Sequence, residues 1–130
     1  MKEIISEKKK ILTYILSIIL VLAGIAHFLI PDAFIVAMPP YIPFHLEVIY
    51  LTGLIEIIFA VSLNTKKYKV ITCYLLSAYF IAILPAHIYV SMNSIEMFGV
   101  SNPFLLWMRT IFQIVFILWP LYILKQEQAS

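Results

Sequence analysis

"ILTYILSIILVLAGIAHFLIPDAFIVAMPPYIP", residues 11–43, begins as a membrane-spanning helix and ends in chemistry that such a helix avoids. Residues 11–30 contain no Asp, Glu, Lys or Arg, and a run of ~20 apolar residues is what an α-helix needs to cross the hydrocarbon layer. His27 sits just before the exit, and Pro31, Asp32, Pro39, Pro40 and Pro43 crowd the residues that follow. The stretch therefore sets two expectations: a first transmembrane helix, and something polar gathered at its far end.

Composition extends the first expectation to the whole chain. Of 130 residues, 63% are hydrophobic and 12% charged, and the mean hydropathy of +1.00 is far above that of a soluble domain. Three further apolar runs follow, at 48–63, 70–92 and 104–124. The reading is an all-α integral membrane protein: a bundle of four transmembrane helices forming a single membrane domain over residues 1–130, with almost nothing outside the bilayer.

The lysines orient this bundle. Lys2, Lys8, Lys9 and Lys10 precede the first run, Lys66, Lys67 and Lys69 separate the second from the third, and Lys125 follows the fourth. With four spans these positions share one side. The other side holds Asp32, His45, Glu47 and Glu96 and no Lys or Arg, so the positive-inside rule puts both termini in the cytoplasm. The expected location is a bacterial cytoplasmic (inner) membrane. A basic start followed by Ala23, Gly24 and Ala26 loosely resembles a signal peptide, but the apolar run exceeds an ordinary signal core, so it is expected to be retained. Topology already accounts for the basic residues, so no nucleic-acid role is expected. The lone Cys73 can form neither an internal disulfide nor a two-cysteine relay.

The loops differ in character. Residues 64–69 make a tight turn. The first outer loop is longer: Pro31 and Asp32 can start a short helix carrying Ala33, Phe34, Ile35, Val36 and Met38, which Pro39 and Pro40 then stop. Such a helix would lie in the outer interface. Two roles are open to it, a connector packed on the helix ends or a lid over a cavity.

Depth follows from counting along spans that alternate in direction, at roughly 1.5 Å per residue. His27, His87, Arg109, Gln113 and Glu56 all fall in the outer half. A charge in hydrocarbon costs at least ~2.5 kcal/mol, so Glu56 and Arg109 are expected to face the interior and each other, or water. Helical spacing sets Gly24 with His27, Gly53 with Glu56, and Arg109 with Gln113 on common stripes, the glycines permitting close helix approach. The inference is an outward polar pocket floored by apolar side chains. Each member also has a plainer role: the Glu56/Arg109 pair can fix helix register alone, either histidine can be a hydrogen-bonded packing residue, and Gln113 can bridge helices. Pro85 and Pro120 are expected to kink their spans, and Trp107, Trp119 and Tyr122 to anchor at the interfaces. A faint repeat accompanies these residues: Ala26-His27 recurs at Ala86-His87, and EIIF at 56–59 resembles QIVF at 113–116. It would make the chain a parallel duplication of a two-helix unit.

In these same residues the chain resembles the DoxX-like family of small four-helix membrane proteins. The resemblance rests on Gly24-Ile25-Ala26-His27-Phe28, on Pro31, Phe34 and Met38-Pro39-Pro40-Tyr41-Ile42-Pro43, and on Gly53-Leu54-Ile55-Glu56. Pro85-Ala86-His87-Ile88 and Arg109 with Gln113 extend it across nearly all four spans. Two positions depart from it: many members have asparagine where this chain has His87, and proline where it has Ile111. The resemblance implies a fold more firmly than a reaction. It points to membrane redox systems linked to quinol oxidase or thiosulfate:quinone oxidoreductase and to oxidative-stress partners, with a receptor-assembly chaperone among looser relatives.

Three functional readings follow. In the first, the pocket holds a small amphiphile, quinone-like or lipid. Arg109, Gln113 or a histidine would bond a carbonyl, and Glu56 or His27 would handle a proton. No flavin, iron–sulfur or dithiol motif appears, so the protein would serve as an accessory subunit of a redox or envelope-stress system. In the second, it is a non-enzymatic assembly factor that binds a client membrane protein through its helix faces, and its polar cluster is structural. In the third, His27 and His87 are axial ligands of one b-type haem, which requires their helices to lie across the bundle from each other. Self-association of the chain is compatible with all three.

Overall fold

A computed structural model describes residues 2–96 and 99–129, leaving aside the side chains of 2–6, 9 and 127–129. The side chains of Lys2 and Lys9, counted above with the basic end, therefore lie outside the described residues. Five helices follow in order: α1 (Lys2–Leu29), α2 (Pro31–Ile35), α3 (His45–Ser62), α4 (Lys69–Met92) and α5 (Pro103–Ala129). Among the described residues there is no strand. Lys10–Leu29 of α1, all of α3 and α4, and Pro103–Gln126 of α5 are long and apolar enough to cross a membrane. The chain is an integral membrane protein of the helix-bundle kind.

Each long helix shows the same division. On α1 the buried positions are Thr13, Leu16, Ser17, Leu20, Gly24 and His27, spaced three and four apart, which is one helical stripe. Tyr14, Ile15, Ile18, Leu22 and Ile25 lie outside that stripe, apolar and exposed. In water such a surface would drive aggregation. Against lipid it is the matching solvent, and the small and polar residues are left to make the helix contacts.

Local chemistry sets the helix ends. Pro31 opens α2 at a position where its missing N–H costs nothing, and α2 gives way to turns at Ile35, before Pro39 is reached. Phe44, ahead of α3, has φ 55°, a left-handed backbone that a bulky residue rarely adopts. It turns the chain so that α3 starts at His45, three residues before the apolar run. Hydropathy marked where the helix enters the hydrocarbon and missed its polar first turn, where Glu47 suits the helix dipole. Asn102 caps α5 by accepting a bond from the Phe104 N–H at 2.9 Å, with Pro103 between them.

The long helices assemble two by two. α1 packs antiparallel along α3, and α4 along α5; α1 meets α5 and α3 meets α4 more lightly, while the diagonal pairs do not touch. In the first pair, Gly24 and Gly53 bring two backbones together. A Cβ on Gly24 would stand 2.7 Å from the Gly53 carbonyl oxygen, and one on Gly53 would stand 2.7 Å from His27 Cβ. In the second pair, hydroxyls and an amide take over from glycine. Ser77 Oγ donates to the Ile117 carbonyl at 2.8 Å, and Thr110 Oγ1 lies 3.2 Å from the His87 carbonyl oxygen. Gln113 Nε2 donates to the Phe80 carbonyl at 2.9 Å. That last bond sits one residue from Ile81, whose carbonyl loses its helical donor to Pro85.

The pairing registers bear on the repeat. Moving α1 by 60 positions and α3 by 57 carries the contact of His27 with Gly53 onto the contact of His87 with Thr110. Each helix pair thus sets a histidine against the same level of its neighbour. Toward the end that holds the 63–68 turn, all four long helices close on one apolar core built around Leu16, Leu20, Leu63, Leu76 and Ile123. Asn64 fastens that end by donating to Ser17 Oγ and to the Ala60 carbonyl, each at 2.8 Å. Toward the other end the pairs separate, and a cavity opens between them.

Candidate functional site

The cavity has a volume of about 560 Å³, inside the ~300–1,000 Å³ range of small-molecule sites. Its floor is the apolar core, through Leu20 and Phe80. Its roof is the segment after α1: Phe34, Ala37, Met38, Pro39, Tyr41 and Ile42 all contribute to the lining. The side walls carry His27, Glu56, His87, Arg109 and Gln113, the five residues singled out from the sequence, one or two from each long helix. Asp32, Glu47 and Glu96 stand exposed and take no part in the lining.

Glu56 and His27 are buried side by side in the wall. Glu56 is 6% exposed and His27 8%, and His27 Nδ1 lies 3.2 Å from Glu56 Oε2. The same nitrogen lies 2.6 Å from the Ala23 carbonyl oxygen. A carbonyl only accepts, so Nδ1 carries the proton and donates it to Ala23, while the Glu56 Oε2 beside it accepts no hydrogen bond among the described residues. The Phe34 ring lies flat against the imidazole, with centroids 3.9 Å apart and planes 16° from parallel. Helix α2 thus fixes the ring of α1. Across the cavity from α1, Tyr79 reaches toward the Glu56 carboxyl with its hydroxyl, and Thr52 toward Tyr79.

Glu56 and Arg109, expected to face each other, form no ion pair. Glu56 is taken by His27 because the Gly24/Gly53 contact draws α1 and α3 together at that level, whereas α5 stands diagonally across from α3. Arg109 is half-buried in the cavity wall, and among the described residues it has neither an ion-pair nor a hydrogen-bond partner. His87 Nδ1 is itself buried with no hydrogen-bond partner. Gln113 bridges α5 to α4 through the Phe80 carbonyl. The two histidines face the cavity from the diagonal helices α1 and α4.

Sequence reasoning missed Tyr79, Thr52 and the ring contact of Phe34. Thr52 had a signal, since it lies four residues before Glu56 on the same stripe. Tyr79 had none that separates it from the many aromatics of the spans. The resulting arrangement is a chamber with two unlike poles. One holds a carboxylate set beside a histidine and approached by a phenol; the other holds a guanidinium and an imidazole N that have no hydrogen-bond partner among the described residues. Such a chamber can bind and orient a polar head and exchange protons with it. Among the described residues, no group of three or more His, Cys, Asp and Glu side chains gathers as a metal site would.

No curated protein and no solved structure matches the chain. A family profile does match it over residues 16–124, from the inner core of α1 to the same level of α5. On that match the chain belongs to the family described as a domain of unknown function (DUF8561).

Proposed function

We propose that this protein is a DoxX-like accessory subunit of a membrane redox or envelope-stress system, and that its cavity holds a small amphiphile, quinone-like or lipid. One observation carries the reading. Every strongly polar side chain that the sequence sets in the outer half of a span lines the same chamber of about 560 Å³, while the rest of the bundle interior is closed by an apolar core. Polar residues at membrane depth are retained where they line a pathway or a binding site. In this reading both termini are cytoplasmic, α2 lies in the outer interface, and the chamber opens outward. The support is the collection of Lys8, Lys10, Lys66, Lys67, Lys69 and Lys125 at the end of the bundle opposite α2.

Division of labour follows from the two poles. His27, Glu56 and Tyr79 form a chain along which a proton can move to or from a bound head, and Arg109 and His87 can bond an oxygen of that head. The redox chemistry would belong to the ligand and to a partner subunit. Native mass spectrometry of the protein drawn in mild detergent from its own membranes tests this. A one-to-one adduct with the mass of a quinone or a lipid is expected. A bare chain that brings a client membrane protein with it would turn the reading to an assembly factor, and a haem-sized adduct would turn it to a bis-histidine cytochrome.

A further inference from the structure

Not all polar groups of the chamber find partners within the described residues, and the unmatched ones say what kind of head it takes. The only carboxylate among the lining residues, Glu56, lies on the far side beside His27, 3.2 Å from its Nδ1, and its Oε2 accepts no hydrogen bond among the described residues. Arg109 is therefore left in the opposite wall as a guanidinium with no ion-pair or hydrogen-bond partner among the described residues. An uncompensated cation at this depth costs at least ~2.5 kcal/mol. Beside this half-buried cation, on α4, His87 Nδ1 is buried without a hydrogen-bond partner. Thr110 Oγ1, 3.2 Å from the His87 carbonyl oxygen and next in sequence to Arg109, ties the two walls into one rigid surface. A cation and a neighbouring nitrogen, both lining the cavity and both without a hydrogen-bond partner among the described residues, make a receptor for an anionic oxygen. A neutral ketone would satisfy their hydrogen bonds and leave the charge standing.

We infer that the natural occupant is a single-chain amphiphile with an acidic oxygen headgroup, a carboxylate or a phosphate monoester. Arg109 and His87 hold the head, and the chain lies along the apolar wall of Ile19, Leu20, Ile83 and Phe116. The inference rests on the reading of the chamber as an amphiphile site and narrows it to acids. It also assigns Arg109 to the ligand and not to the helix packing.

Three probes with the same twelve-carbon chain test it on the full chain in a neutral maltoside detergent: laurate, dodecyl phosphate and dodecanol. Native mass spectrometry counts bound probe, and thermal unfolding reads its effect on stability. One or both acids are expected to form a one-to-one complex and raise the midpoint, with dodecanol at least about tenfold weaker. A preference between laurate and dodecyl phosphate tells carboxylate from phosphate. Arg109→Gln is expected to lose that tenfold, and Arg109→Lys to recover part of it. The unliganded Arg109→Gln protein is expected to unfold at or above the wild-type midpoint, because a cation without a counter-charge has gone. A merely structural arginine would give the opposite shift. Dodecanol binding as tightly as the acids, with Arg109→Gln indifferent, would overturn the acidic head and leave the amphiphile chamber standing. Binding of no probe would overturn the inference, and if the protein from its own membranes also carries no adduct, the chamber reading falls with it.

Discussion

A buried carboxylate in a helix bundle depends on the groups set against it, and Glu56 lies against a histidine that is itself fixed by a hydrogen bond and a ring contact. His27 gives its Nδ1–H to the Ala23 carbonyl, holds that nitrogen 3.2 Å from Glu56 Oε2, and rests its face on Phe34. Glu56→Ala would leave that imidazole with the carbonyl alone and the Tyr79 hydroxyl with no carboxylate to approach. A loss of about 1–3 kcal/mol is expected in reversible unfolding in detergent. Asp32→Asn and Glu96→Gln, at exposed positions, should stay within about 0.5 kcal/mol of wild type. If Glu56→Ala matched those two, the pair would have no structural weight. At this scale the sequence disclosed the membership of the site and not its pairings. The cost of a charge in hydrocarbon was enough to send Glu56 and Arg109 inward, and helical spacing was enough to put His27 and Gln113 with them. Which inward-facing groups then meet depends on which helices are neighbours. Opposite charge alone suggested Glu56 with Arg109, but α3 and α5 are diagonal, so the nearer and weaker partner on α1 prevails.

Neighbours are chosen by elements, and here the choice runs through glycine in one pair and through hydroxyls in the other. Gly24 and Gly53 let α1 and α3 approach until a Cβ on either would stand under 3.0 Å from the other helix. Gly53→Ala must push α1 aside at the level of His27, so a destabilisation of about 1–3 kcal/mol is expected from overpacking. The same change should weaken the hold of His27 on Glu56, visible as a shifted His27 ring resonance in NMR. An alanine variant with wild-type stability and an unshifted resonance would mean that the helices are not in contact there. The sequence already marked these glycines by their three-residue spacing to His27 and Glu56. It did not mark the equivalent seam between α4 and α5, because Ser77, Ser91 and Thr110 are unremarkable in a list of hydroxyls until their acceptors are known. Helix ends were legible within a few residues. Pro31 announced α2, but nothing local to the sequence indicated that Phe44 would take a left-handed conformation and start α3 at His45.

Over the whole molecule, two helix pairs in matching register meet at one apolar core and part around one chamber, so the chamber lies on the seam of the repeat. The matched positions have diverged in charge. Glu56 of the first pair corresponds to Gln113 of the second, and Thr52 to Arg109, by the same displacement of 57 that aligns Gly53 with Thr110. The matching registers give the hollow its symmetry, and the unlike residues at matched positions give it an acidic and a basic side. Which face of the membrane this hollow serves depends on the lysines, all of whose described positions lie opposite α2. A cysteine accessibility experiment reads that orientation directly, because the native Cys73 is 0% exposed and should stay silent. Asp32→Cys places a thiol at an exposed site on α2, and Tyr68→Cys places one in the opposite turn without removing a lysine, at a residue 48% exposed. In intact cells a membrane-impermeant maleimide is expected to label the first and spare the second until the membrane is permeabilised. The reverse pattern would put the termini outside and aim the chamber at the cytoplasm, and its ligand would then have to come from the cytoplasmic leaflet, with the lysines on the face away from that leaflet's anionic lipids.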